Sequence, residues 1–284
     1  MKPKARGTTD AAHHRTRRMQ GAGVKALLNA ALAAWLMVGS IASNSQAASR
    51  ELTIAAAADL NFALKDIAAR YEKETGHKVK LSFGSSGNFY SQISNGAPFD
   101  LFFSADLEYP RSLQEAGFAE PNTLYQYATG KIVLWVRKDS KVDVQKGLTA
   151  LLNPAIAHIA IANPEHAPYG KAAVAAMKHA GIYEKVRTKL VYGENISQTA
   201  QFVDSGNADA GIIALSLALA PAMRERGKYY LIPASDYPVL EQGAMVLKAS
   251  GNKPMALDFL NFMRKPEILG LMRSYGFSQA TKHD

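Results

Sequence analysis

Four short stretches carry residues able to hold a small anion: Ala58-Asp59, Ser85-Ser86-Gly87, Ala167-Pro168-Tyr169-Gly170 and Asn195-Ile196-Ser197. Each follows an apolar run of strand character and precedes a run of helical spacing. A helix start exposes unpaired backbone N–H groups at the positive end of its dipole, so a strand running into a helix makes an anion cradle. The side chains there are hydroxyls and small residues suited to orienting neutral donors at short range, with Tyr169 beside one helix start. Ala58, Ser85, Gly170 and Ser197 shape the loops around those donors. Each helix start is worth roughly half a positive charge, so four could match a dianion without lysine or arginine. Such a site suits a small, fully deprotonated tetrahedral oxyanion, selected by cavity radius. Asp59 is the discordant member. At about 4 Å and an effective dielectric near 20, its carboxylate would repel each unit of ligand charge by roughly 4 kcal/mol. Its expected role is to cap its own helix while a backbone N–H faces the ligand.

The elements that position these loops alternate along the chain. Residues 52–58 form an apolar strand, and Leu60, Leu64, Ile67, Ala68 and Tyr71 then recur at helical spacing up to Gly76. Val79, Leu81 and Phe83 alternate as a second strand, a short helix carries Phe89, Tyr90 and Ile93, and residues 99–103 form a buried third strand. After Thr129-Gly130 the pattern begins again. Strands are expected at 131–137, 158–162, 190–192, 210–215, 229–232 and 244–248, with helices over 170–179 and 197–205. Two helices finish the chain, one with Pro254 in its first turn and one from Pro266 to a stop at Gly276. This predicts an α/β protein of two lobes, each a mostly parallel sheet flanked by helices. The first lobe spans 48–127 plus 249–284 and the second 128–248. Open α/β sheets bind ligands beyond the carboxyl ends of their strands, which is where all four loops fall.

The first 47 residues read as a leader. Lys2, Lys4, Arg6, Arg15, Arg17, Arg18 and Lys25 face one acid, Asp10, before an apolar run over 26–42 and the small-x-small pattern Ser45-Gln46-Ala47. That order is a secretory signal peptide, cleaved on export to the periplasm. Its removal leaves 26 Lys and Arg against 23 Asp and Glu, a net charge of +3 in place of +9. The remaining chain, about 237 residues, is long enough for two lobes and carries no basic stripe interleaved with aromatics, which excludes a nucleic-acid partner. With no cysteine in the sequence, disulfides, thiol nucleophiles and Cys-bound metals are excluded.

Ala55-Ala56-Ala57-Ala58-Asp59-Leu60, Gly84-Ser85-Ser86-Gly87, the run Asn95-Gly96-Ala97-Pro98-Phe99-Asp100-Leu101-Phe102-Phe103-Ser104-Ala105-Asp106 and Asn163-Pro164-Glu165-His166-Ala167-Pro168-Tyr169-Gly170 together resemble the ModA family of periplasmic molybdate-binding proteins. The resemblance runs through residues 50–278. It implies a two-lobed type II periplasmic binding fold that captures molybdate or tungstate for an inner-membrane ABC permease, as a monomer with no cofactor and no catalysis. It also implies that Ser86 gives a hydroxyl ligand, Tyr169 a phenol and Ile196 a backbone donor, so that the metal is reached only through its oxygens. Position 59 is ordinarily Ser, Thr or Asn in that family, and Asp59 departs from it. Another branch draws its tyrosine from the later strand, where this chain has Ala214.

Three other readings compete. Phosphate or sulfate could occupy the same fold, and Asp59 would then accept the proton of hydrogen phosphate. Tyr229-Tyr230 invites comparison with ferric-iron sites but opens an apolar strand. A hydrolase of small anionic esters would need a base beside Ser86, and the chain holds no G-x-S-x-G elbow, H-E-x-x-H pair or Walker loop. The histidines show no metal-ligand spacing.

Overall fold

The computed structural model describes residues 51–279, so the leader expected over residues 1–47 lies outside the described residues. Ten strands form two five-stranded sheets. The first contains β1 (Glu51–Ala57), β2 (Lys78–Gly84), β3 (Leu101–Ser104), β4 (Tyr125–Gly130) and β10 (Leu240–Val246), in the order β2-β1-β3-β10-β4. The second contains β5 (Ile132–Arg137), β6 (Ile159–Ala162), β7 (Leu190–Gly193), β8 (Ala210–Ala214) and β9 (Gly227–Leu231), in the order β7-β6-β8-β5-β9. In each sheet the first three strands in that order are parallel; the fourth, β10 or β5, runs antiparallel to both its neighbours, so the fifth, β4 or β9, points the same way as the first three. Each sheet is therefore mixed through a single reversed strand.

The lobe boundaries differ from the expected ones at both crossings. β4 lies in the first sheet, and the chain passes directly through Lys131 into β5. The return falls between Leu231 and Leu240, so residues 240–248 belong to the first lobe, not the second. Their apolar pattern fits a strand in either sheet, and only the pairing of Gly243 with Ser104 and of Leu240 with Gly130 assigns it.

Register explains why the loops sit in pairs. Ala57, the last residue of β1, lies opposite Gly84, the last of β2, and Ala162 of β6 lies opposite Gly193 of β7. Parallel neighbours ending level with each other place their following turns side by side. After β1 comes a 3₁₀ turn, Ala58–Leu60, and then α1 (Ala63–Thr75); after β2 comes α2 (Ser86–Ser94). The first of the four loops is thus a single 3₁₀ turn, not the start of an α-helix. After β3 comes α3 (Glu108–Glu115), which packs beside α2. In the second lobe α4 (Pro168–His179) follows β6, then comes the short α5 (Tyr183–Val186), and α6 (Ile196–Asp204) follows β7. A single turn, α7 (Leu215–Ala218), follows β8, and α8 (Lys253–Phe262) and α9 (Pro266–Ser274) close the first lobe.

The first core packs β1 and β3 against α1 and α8, with Tyr71 edge-on to Phe259 at 5.0 Å. In the second, Val133, Trp135, Ile161 and Ile213 pack with the alanines of α4, and Ala57, Ala58 and Ala105 of the first lobe join the same cluster. Small residues at those three positions let the lobes touch at the loop ends. Gly170 has a packing role of the same kind: a Cβ there would lie 2.1 Å from the Ala162 carbonyl oxygen. Gly170→Ala should lower unfolding stability by about 1–3 kcal/mol through overpacking, measured by urea denaturation; an unchanged midpoint would show that the β6–α4 turn has slack.

Candidate functional site

The four loops meet in one cavity between the lobes, lined by Ala57, Ala58, Asp59, Gly84, Ser85, Ser86, Ala105, Ala167, Pro168, Tyr169 and Ile196. Among the described residues, no lysine or arginine lines the cavity.

From the first lobe, Ser85 is the N-cap of α2, its Oγ accepting from the Asn88 N–H at 3.3 Å. Ser86 is the first helical residue and only 1% exposed. Its Oγ accepts from the Ala105 N–H at 2.9 Å, which leaves its own proton for the cavity side. From the second lobe, Asn195 caps α6 by taking the Ser197 and Gln198 N–H groups at 3.0 and 3.1 Å. The Ile196 N–H at the cavity wall is not used by that cap. Ser197 faces elsewhere and accepts from Asn61 Nδ2 across the lobes at 3.2 Å. The Gly170 N–H goes to the Ala167 carbonyl. Of the eight residues the sequence singles out, Ala58, Asp59, Ser85, Ser86, Tyr169 and Ile196 line the cavity, whereas Gly170 and Ser197 support its walls from outside.

Asp59 does not cap a helix. The 3₁₀ turn has no side-chain cap, and the carboxylate instead enters a buried network joining the lobes. Its Oδ2 accepts from the Tyr169 hydroxyl at 2.9 Å and from Gln242 Nε2 at 2.7 Å. Gln242 Nε2 also donates to the Tyr169 oxygen at 3.0 Å, and Gln242 Oε1 accepts from Tyr127 at 2.7 Å. Ser216, on α7, donates to the Asp59 carbonyl at 2.7 Å. Gln242 is fully buried. Gly130 makes room for the network, since a Cβ there would lie 2.3 Å from the Tyr169 oxygen. Burial is the main influence on Asp59 and lifts its carboxyl from 3.8 to about 6, against the lowering effect of Gln242 and Tyr169. Burial likewise pushes Tyr169 and Tyr127 well above the usual phenol range, helped by the Asp59 charge, so both stay protonated.

Further bonds hold the lobes together around the cavity. Ser85 Oγ meets His166 Nδ1 at 2.8 Å, the Gly87 N–H donates to the His166 carbonyl at 2.9 Å, and Asn88 Nδ2 reaches Glu194 at 2.5 Å. His166, one of the histidines without metal-ligand spacing, is thus an interlobe contact.

Two lobes of the same sheet layout, with a cavity between them fed by strand carboxyl ends, define a two-lobed solute-binding protein. The chain belongs to the bacterial extracellular solute-binding protein family, whose profile matches residues 52–278. It is 40% identical to the molybdate-binding protein ModA of Rhodobacter capsulatus over 231 residues, covering 81% of this chain and 89% of that protein. It is 39% identical to the molybdate-binding protein ModA of Azotobacter vinelandii over 242 residues, covering 85% and 94%. Among solved structures, the Azotobacter vinelandii periplasmic molybdate-binding protein superimposes with a TM-score of 0.77 at 35% identity, covering 81% of this chain and all of that one.

The Asp59 environment has a sign that can be measured. Its folded-state pKa, about 6, lies above the ordinary 3.8, so the folded protein binds this proton more tightly than the unfolded chain. Stability from this group is greatest below pH 4, falls as pH rises from about 4 to 6, and is level above. Between pH 4 and pH 8 the unfolding free energy of Asp59→Asn should gain about 2–3 kcal/mol relative to the parent, measured by urea denaturation. A difference that does not move with pH would mean that the carboxyl is not perturbed.

Proposed function

We propose that this protein is a periplasmic receptor that binds one molybdate or tungstate ion in the interlobe cavity and delivers it to an inner-membrane ABC permease, acting as a monomer and without turnover. The observation that carries this reading is the convergence of Ser86, Ile196, Tyr169 and Asp59 on a cavity with no cationic side chain. An oxyanion there is held by hydroxyl and amide donors, which act strongly where water is excluded. Ser86 Oγ–H and the Ile196 N–H are the direct donors, at the starts of helices from opposite lobes, so one ligand draws both lobes onto itself. Tyr169 and Asp59 form the facing wall. Ligand-stabilised closure of hinged lobes needs no further chemistry. The identities with two molybdate-binding proteins support molybdate over sulfate or phosphate. Among the described residues no helix is long and apolar enough to cross a membrane, and export is assigned to the leader.

Ser86→Ala removes a direct donor, and Tyr169→Phe releases the facing wall. Each should weaken molybdate binding by about 1–3 kcal/mol in calorimetry, the cost of leaving a buried partner unpaired. Unchanged affinity in both variants would overturn the site. A thermal-shift panel of molybdate, tungstate, sulfate and phosphate on the protein lacking residues 1–47 tests the ligand: the first two should raise the melting temperature most, and a larger shift with phosphate or sulfate would replace the reading.

A further inference from the structure

The Asp59 carboxylate has one saturated oxygen and one bare one. Oδ2 accepts from both Tyr169 and Gln242. Oδ1 is buried and accepts no hydrogen bond of good geometry, although the backbone N–H groups of Asp59 and Leu60 lie close enough to the carboxyl to favour its charge. The residue is 1% exposed and belongs to the cavity wall. A buried, unpaired carboxylate oxygen costs more than an ordinary lost hydrogen bond, so a site that keeps one has a use for it.

Proton positions in the network sharpen this. Tyr169 has a single hydroxyl proton, and it points to Asp59 Oδ2. Gln242 Nε2 donates to the phenol oxygen, and the amide is oriented by Tyr127 at its Oε1. With Asp59 ionised, the two wall residues therefore offer a carboxylate oxygen and the remaining lone pair of a phenol, with no donor proton left over. Both repel an anion. The groups facing Asp59 come from four elements: Tyr169 on α4, Gln242 on β10, Tyr127 on β4 and Ser216 on α7. None is cationic, and the nearby charge felt by Tyr127 besides Asp59 is another carboxylate, Asp106. Nothing in this wall can neutralise a dianion lying against Asp59 except a proton.

We propose that Asp59 is protonated in the bound state, so that the site takes up one oxyanion together with one proton, held on Asp59 Oδ1 and donated to a ligand oxygen. This rests on the oxyanion reading of the cavity. The balance is simple: the free site holds a carboxylate, the dianion enters, one proton comes from solvent, and the complex carries one negative charge fewer than its parts. Oδ2 keeps its two donors throughout, so the network need not rearrange. Burial has already brought the carboxyl to about 6, and an adjacent negative charge moves it further up. Asp59 thereby changes from the residue that opposes an anion to a neutral donor for it, and a ligand with a hydrogen-bond-accepting oxygen at that point is selected.

The test is calorimetry at pH 8 in buffers of different ionisation enthalpy, with molybdate, tungstate and sulfate, all fully deprotonated there, titrated into the parent protein and Asp59→Asn. The parent should take up about one proton per anion bound, and its affinity should fall about tenfold per pH unit above pH 7. Asp59→Asn should take up none and show a flat pH profile. Molybdate binding to the parent with no proton uptake overturns the proposal while the receptor reading stands. Uptake with sulfate alone, molybdate being ignored, overturns the molybdate reading while the proposal stands. If no anion binds, both fall. The parent's own proton count decides the matter even if the variant does not fold.

Discussion

The proposed receptor function sets one constraint on the rest of the structure: a small anion must be desolvated in an interlobe cavity that no lysine or arginine of the described residues lines. Removing a charge from water is costly, and the protein has only hydroxyls, amide N–H groups and helix ends with which to replace the lost hydration. Everything near the cavity serves that replacement. The alanines at 57, 58 and 105 are small enough for the loops to close in, Ser86 sits at the first position of its helix, and Asn195 caps α6 with two of its first N–H groups while leaving Ile196 to the wall.

The fold makes this possible by repetition. Each sheet sets two parallel strands ending level, so each lobe delivers two loops to the same place, and the two crossings bring the pairs face to face. The mixed character of the sheets follows from the crossings, since one strand in each sheet, β10 or β5, runs against both its neighbours as the chain passes between the lobes. The network through Asp59, Tyr169 and Gln242 lies beside those crossings: Gln242 is on β10 at a register shift, and Gly130 ends β4.

Much of this was legible in the sequence because it is local. Ser85-Ser86-Gly87 after an alternating strand, and Pro168-Tyr169-Gly170 before an alanine-rich helix, announce helix starts through cap and first-turn chemistry within a few residues. The long-range part was not. Gln242 lies 183 residues from Asp59, and Tyr127 lies 115 from Gln242. Neither belongs to a motif, and the available signal was faint: one amide at the head of the otherwise apolar Gly243-Ala244-Met245-Val246 run. The same limitation moved the lobe boundary, because the apolar pattern of β10 does not say which sheet it joins. The cap expected of Asp59 is absent for a related reason. An aspartate after a strand usually caps the next helix, and only tertiary contacts turned it into the interlobe network.

The central claim is that the ligand is held by neutral donors from both lobes. A crystal structure of the protein with molybdate tests it most directly, with anomalous scattering to locate the metal. The account predicts one metal peak between Ser86, Ile196 and Tyr169, its oxygens on the Ser86 hydroxyl and the Ile196 N–H, and no lysine or arginine within about 4 Å. A peak elsewhere, or an anion held by a lysine or arginine, would contradict it.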